Sequence, residues 1–278
     1  MPQVKNILTV DVEEAFHRND LRLSHRQREL LGGRVVDQTE QVVALLQAAG
    51  QQGTFFILGE VAERYPALIK RLAAAGFELG LHGYAHSLVY EQQEKEFLRE
   101  TQAAKALLEA LGGREVVGFR APSWSITQRS LWALKVLAAM KFQYDSSILP
   151  ARAYLGGVPH ANPLIHRRTE ADIIEVPPSI VSMGPFRLPF SGGLYLRTLP
   201  YGFIRRCIAR LNKKGIPAVI YLHPWELDEG LPRLQLGWKG RYALYHNLKT
   251  TRAKVEQLLA EFSFAPVCEV LNHAYCRC

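Results

Sequence analysis

The stretch Asn6–Glu14, NILTVDVEE, decides how the rest of the chain is read. It opens with a β-branched and leucine-rich run that does not alternate with polar residues. That pattern suits a strand covered on both faces, as in parallel sheets flanked by helices. The run ends on Asp11, Glu13 and Glu14. If the strand persists, Asp11 and Glu13 share a face. Carboxylates placed after an apolar run are costly unless something compensates them. A metal ion would do so, and so would an exit into solvent.

The same rhythm recurs along the chain. Strands are expected at Asn6–Val12, Thr54–Leu58, Phe77–Leu81, Val116–Phe119, Phe142–Tyr144, Ala218–Leu222 and Val267–Leu271. Helices are expected at Thr39–Ala49, Glu60–Ala75, Glu91–Leu111, Thr127–Ala139, Tyr201–Lys214 and Leu248–Glu261, several of them closed by glycine. Alternating strands and helices define an α/β chain. The stretch from about 150 to 200 is rich in Pro and Gly, with short strand-like pieces at Asp172–Val176 and Ile180–Met183. It reads as a loop-rich insertion in one domain spanning 1–278, with an extension at about 229–278.

One regularity stands out. Asp11, Glu13, His82, Arg120, Asp145 and His223 all fall at or just past the C-terminal ends of expected strands. In parallel sheets and barrels that edge is where ligands bind. His82 and His86, in LHGYAHS, have the spacing of two imidazoles on one side of a turn. Two histidines and one carboxylate form a recurring catalytic metal set, although structural histidines at that spacing are common. Pro122 fixes the turn after Arg120, which lets the guanidinium point back at a carboxylate. His223 follows an apolar strand and precedes Pro224 and Trp225, as a titratable group on a binding floor would; a hydrogen-bonded structural His fits too. Asp145 is a candidate to orient it.

Bulk properties bound the alternatives. The 278 residues are 48% hydrophobic and 22% charged, enough for one large core. The net charge of +8 comes from Lys and Arg spread along the chain. No aromatic-interleaved basic motif indicates nucleic acid, while peripheral contact with an anionic membrane surface stays open. No apolar run reaches the roughly 18 residues of a membrane span. The opening MPQVKNILTVDVEE lacks an apolar leader, so a cytoplasmic location is expected. Cys207, Cys268, Cys276 and Cys278 are late and irregular, unlike a disulfide framework, and the final pair reads as a reduced tail.

Taken together, TVDVEEAFH (Thr9–His17), LHGYAHSLVYEQ (Leu81–Gln92), FRAPSWSI (Phe119–Ile126), YDSSILP (Tyr144–Pro150), SGGLYLRTLP (Ser191–Pro200) and YLHPWELD (Tyr221–Asp228) resemble the motifs of polysaccharide deacetylases with a nodulation-type chitooligosaccharide deacetylase domain. The resemblance is closest to the subgroup found beside exosortase-linked exopolysaccharide clusters. The motifs occur in family order over nearly the whole chain. The resemblance implies a distorted (β/α) barrel with about seven parallel strands, fewer than the regular eight. It implies a divalent metal, Zn2+ above Co2+, Ni2+ or Mn2+, held by Glu13, His82 and His86. Asp11 would be the general base and Arg120 its anchor. His223 would be the general acid, oriented by Asp145. Pro122, Trp124, Leu222 and Trp225 would shape the sugar pocket. Where the wider family has Asp as the metal carboxylate, this chain has Glu13, one methylene longer and one position later. The implied reaction is hydrolysis of N-acetyl groups on an amino-sugar polysaccharide or its precursor. A hydrolase of another non-peptide C–N bond and a degenerate carbohydrate-binding protein are the alternatives.

Overall fold

A computed structural model describes residues 4–184 and 186–271. Its strands are β1 (Asn6–Val12), β2 (Thr54–Ile57), β3 (Glu78–Leu81), β4 (Gly118–Phe119), β5 (Tyr144–Asp145), β6 (His166–Arg168), β7 (Ile173–Glu175), β8 (Ile180–Met183), β9 (Phe186–Pro189), β10 (Val219–Leu222) and β11 (Phe264–Ala265). The main sheet runs β10-β1-β2-β3-β4-β5-β7-β6, with β11 against the start of β1. Pairing is parallel from β10 to β7, and β6 returns antiparallel. The seven-stranded parallel barrel expected from the sequence is therefore present, in open form. Among the described residues β7 and β10 do not pair. The gap is narrowed by the chain near β10, where the Ser179 amide donates to the Val219 carbonyl at 3.1 Å and Gly192 bridges Tyr221.

Every residue of β1 is buried, which explains its unbroken apolar run. Outside the sheet, helices pack on residues such as Val10, Phe55, Leu79 and Ile220. Inside lies a second cluster of Ile7, Phe56, Tyr144, Ile174 and Val219, closed below by Val267, Cys268 and Leu271. That closure corrects one expectation. Val267–Leu271 is a helix, and the strand is the preceding pair Phe264–Ala265. Five apolar-rich residues serve equally as strand or helix, and the barrel floor offers a plug site with no strand edge to pair.

Other boundaries shift for local reasons. The helix expected over Glu60–Ala75 is two, Gly59–Arg64 and Pro66–Ala74, because a residue before proline leaves the helical region. The helix expected from Thr127 starts only at Trp132. The Pro- and Gly-rich stretch contains β6 to β9, and its Ile173–Glu175 piece is the seventh parallel strand. Cys268 is disulfide-bonded, contrary to the expectation of unpaired thiols, whereas Cys207 is free and buried. Cys276 and Cys278 lie outside the described residues. No described helix is long and apolar enough to cross a membrane.

Candidate active site and metal centre

Register gathers the site. Val12 pairs with Ile57, Ile57 with Leu81, and Leu81 with Phe119. The next residues along three of these strands are Glu13, His82 and Arg120, which therefore emerge at one level. Val10 pairs with Leu222, so Asp11 and His223 share the level beside them. All five residues line one pocket at the C-terminal mouth of the barrel.

Glu13, His82 and His86 are buried, and one ligand atom from each lies within 4.8 Å of the others. The Glu13 Oε2 is 2.7 Å from His86 Nε2 and 3.6 Å from His82 Nε2. That buried oxygen has no hydrogen-bond partner, although it faces two ring nitrogens. Burial pushes the Glu13 carboxyl up, but the facing His86 and His223 rings outweigh it and hold the group well below the usual range. His82 Nδ1 meets the Arg120 carbonyl at 2.8 Å, a contact that fixes Nδ1 as the N–H and leaves Nε2 free to ligate. A carboxylate oxygen and two imidazole nitrogens converging within 4.8 Å of one another fit a divalent cation.

His86 reaches this cluster from a left-handed backbone, φ 58°, in a turn opened by Gly83 at φ 82°. Ser123 and Trp124 are left-handed as well, at φ 52° and 57°. Left-handed conformations in non-glycine residues are sparsely populated and cluster at functional sites. All three residues line the pocket. His86 is further braced by the His17 ring, stacked at 5.7 Å.

Arg120 is fully buried. Its Nη1 donates to Asp11 Oδ1 and to Thr9 Oγ1, each at 2.7 Å, and Nη2 donates to Ser146 Oγ at 2.8 Å. The second Asp11 oxygen, Oδ2, faces the pocket 3.9 Å from His223 Nε2. The expected Arg120–Asp11 contact is thus present.

The expected partner of His223 is not. Asp145 accepts from the Ser147 hydroxyl and amide and lies beside Glu175 on β7. Burial raises its carboxyl to about 6. Burial, reinforced by the Asp145 charge, lifts Glu175 well above its ordinary value. The carboxylate that meets the His223 ring is Glu226, whose Oε2 lies 3.1 Å from Nδ1 and accepts from the His223 amide at the same distance. Glu226 arrives there because Pro224–Leu227 forms one turn of 3-10 helix, which brings residue i+3 back over residue i. Its other oxygen accepts from Arg197 Nε at 2.8 Å, and both side chains are fully buried. Arg197 also donates to the carbonyls of Ala243 and His246. Burial opposes charge on His223, but Glu226, Glu13 and Asp11 outweigh it and raise the ring to about 9. Burial likewise opposes ionised Glu226, yet His223 and Arg197 bring it down to about 2.

The expected pocket wall is partly rearranged. Trp124 lines the pocket, with Tyr221 edge-on at 4.9 Å. Trp225 is fully buried yet also lines the pocket, stacked on His223 at 5.5 Å with its indole N–H 3.5 Å from Glu13 Oε1. Leu222 and Pro122 are buried and do not face the cavity, because each alternates away from a neighbour that does. Sequence reasoning gave no role to Arg18, Asp20, Tyr154, Tyr195 or Tyr221, all of which line the pocket. Only Tyr221 carried a signal, its position two residues before His223.

The barrel carries a carboxylate–imidazole cluster at its mouth, and residues 32–142 match the polysaccharide deacetylase family model. Residues 146–272 match a domain of unknown function, DUF3473. That second segment supplies β7, β10, His223, Glu226 and Arg197, so the pocket is built from both. A peptidoglycan-N-acetylglucosamine deacetylase of Bacillus cereus is 31% identical over 96 residues, which cover 34% of this chain and 35% of that protein. The chain spans about a third of the length of the curated relatives it matches. A candidate polysaccharide deacetylase of Mycobacterium smegmatis superposes with a TM-score of 0.61 at 22% identity, covering 98% of this chain and 91% of that one. An allantoinase superposes with a TM-score of 0.64 at 14% identity, covering 97% and 91%. At such identities the superpositions establish the shared fold.

Proposed function

We propose that the protein is a divalent-metal-dependent hydrolase that removes N-acetyl groups from amino sugars of a polysaccharide or its precursor. The observation that carries this reading is the buried Glu13–His82–His86 cluster with its unsatisfied carboxylate oxygen, set beside Asp11 and His223 in one pocket. Relatives named as peptidoglycan deacetylases support the substrate class.

Glu13, His82 and His86 would hold the ion, with Zn2+ the best match to a donor set of two imidazoles and one carboxylate. When bound, a divalent cation polarises the acetyl carbonyl and acidifies water. The chain's own groups do the rest. Arg120 occupies Asp11 Oδ1 and leaves Oδ2 to take a proton from the attacking water. As the new C–O bond forms, the backbone N–H groups of Ser123 and Trp124, two residues that line the pocket, would stabilise the developing oxyanion. Collapse breaks the C–N bond. An amine leaves poorly unprotonated, so His223 Nε2 delivers its proton to the nitrogen, while Glu226 stabilises the imidazolium from Nδ1. Water and amide are consumed; acetate and a free amine result. Trp124 and Tyr221 supply aromatic walls for a sugar ring.

The test is elemental analysis of the purified chain together with acetate release from N-acetylated glycans. Stoichiometric metal and acetate release are expected. A metal-loaded chain that binds such glycans tightly and hydrolyses none would refute the reading in favour of a binding protein. Hydrolysis confined to cyclic amides would refute the substrate class.

A further inference from the structure

β8 and β9 form a separate two-stranded antiparallel hairpin, with Met183 paired to Phe186 at its tip. Both tip side chains project outward, Met183 56% and Phe186 75% exposed. Exposed apolar residues are ordinary singly, but two large ones facing each other across a hairpin tip are not. The helix Tyr201–Asn212 lies alongside. A surface furrow is lined from the hairpin by Val181 and Met183 and from the helix by Phe203, Arg206 and Arg210. Arg206, Arg210, Lys213 and Lys214 recur at helical spacing and are all exposed. Among the described residues none of these four cations forms an ion pair, whereas neighbouring Arg205 is matched by Glu261.

We propose that this face, the β8–β9 tip with the cationic stripe of the adjoining helix, docks the protein peripherally on an anionic phospholipid bilayer. An apolar tip entering the interface beside a row of unpaired cations is the arrangement that combines burial with attraction to lipid phosphate. Nucleic acid would use the cations but gives the apolar tip no partner. A second copy of this chain would carry the same positive stripe and repel it. The bilayer satisfies both halves of the surface. None of these residues lines the catalytic pocket, so membrane docking and hydrolysis can fail independently.

The experiment is co-sedimentation of the full chain with phosphatidylcholine vesicles with and without one-third phosphatidylglycerol. Binding is expected only to the anionic vesicles, weakening as salt rises. Arg206→Gln/Arg210→Gln should lower the partition coefficient more than tenfold, from roughly fivefold per cation. Met183→Ser/Phe186→Ser should lower it about tenfold. Because these substitutions could disturb the hairpin, Phe186→Trp provides a check at an exposed position: brominated anionic lipid should quench the added indole. No binding to anionic vesicles, unchanged binding in both double variants, or no extra quenching would each overturn the proposal. So would equal affinity for duplex DNA with no dependence on Met183 and Phe186, or a dimer lost in the tip variant.

Discussion

Glu226→Gln tests the least expected feature of the site. The substitution keeps volume and removes the charge that Arg197 Nε contacts at 2.8 Å. At an effective dielectric of about 20, two unit charges at that distance attract by about 6 kcal/mol. Much of that offsets the desolvation of two fully buried side chains, and breaking such a pair on one side typically costs about 3–5 kcal/mol. Arg197 retains the carbonyls of Ala243 and His246, which favours the lower end. The acid side reports the same carboxylate through its pairing with His223 first and Arg197 second. The folded-state value of Glu226 is depressed from 4.5 to about 2. Its contribution is therefore fully present above pH 4.5 and is lost as the pH falls toward 2; a depression of that size is worth about 3 kcal/mol. A loss of about 3 kcal/mol is a large share of a typical stability of about 5–15 kcal/mol. Urea unfolding of the parent, Glu226→Gln, Arg197→Met and the double variant would measure it. Glu226→Gln should lose about 3 kcal/mol and the acid-side dependence between pH 4.5 and 2. Arg197→Met should cost much less when combined with Glu226→Gln than alone. A loss under about 1 kcal/mol, or additive costs, would refute the coupling. In turnover assays Glu226→Gln should also move the high-pH limb of kcat downward, because the charge favouring the His223 imidazolium is gone.

Three further outcomes are expected. His82→Ala or His86→Ala should abolish stoichiometric metal in elemental analysis while leaving the circular dichroism spectrum intact; full retention in both would rule out the assigned ligands. Asp11→Asn should retain metal but lose about 10²–10⁴-fold in kcat, and near-normal turnover would place the base elsewhere. His223→Ala should slow N-acetyl hydrolysis far more than hydrolysis of an activated acetate ester, whose phenolate leaves without a proton; equal losses would indicate a positioning role instead.

The sequence by itself determined the architecture and half of the site. Strands buried on both faces must be continuously apolar, so polar residues mark their ends, and register in a parallel sheet then brings those ends together. Glu13, His82, Arg120, Asp11 and His223 were legible for that reason, as was the Arg120–Asp11 pair. The partner of His223 was not. Asp145 and Glu226 both lie close to strand ends, and only the one-turn 3-10 helix after His223 decides that Glu226 folds back onto the ring. Asp145 is turned instead toward Ser147 and Glu175. The Arg197 anchor was equally hidden, since its carboxylate is 29 residues away and its carbonyl acceptors lie nearly 50 away. Pocket-wall assignments divided the same way. Trp124, Trp225, Leu222 and Pro122 are all apolar residues near strand ends, and composition cannot say which of them faces the cavity. Side-chain direction at a turn depends on backbone angles set by packing: the left-handed Trp124 and the buried Trp225, stacked on His223, line the pocket, while Leu222 and Pro122 do not.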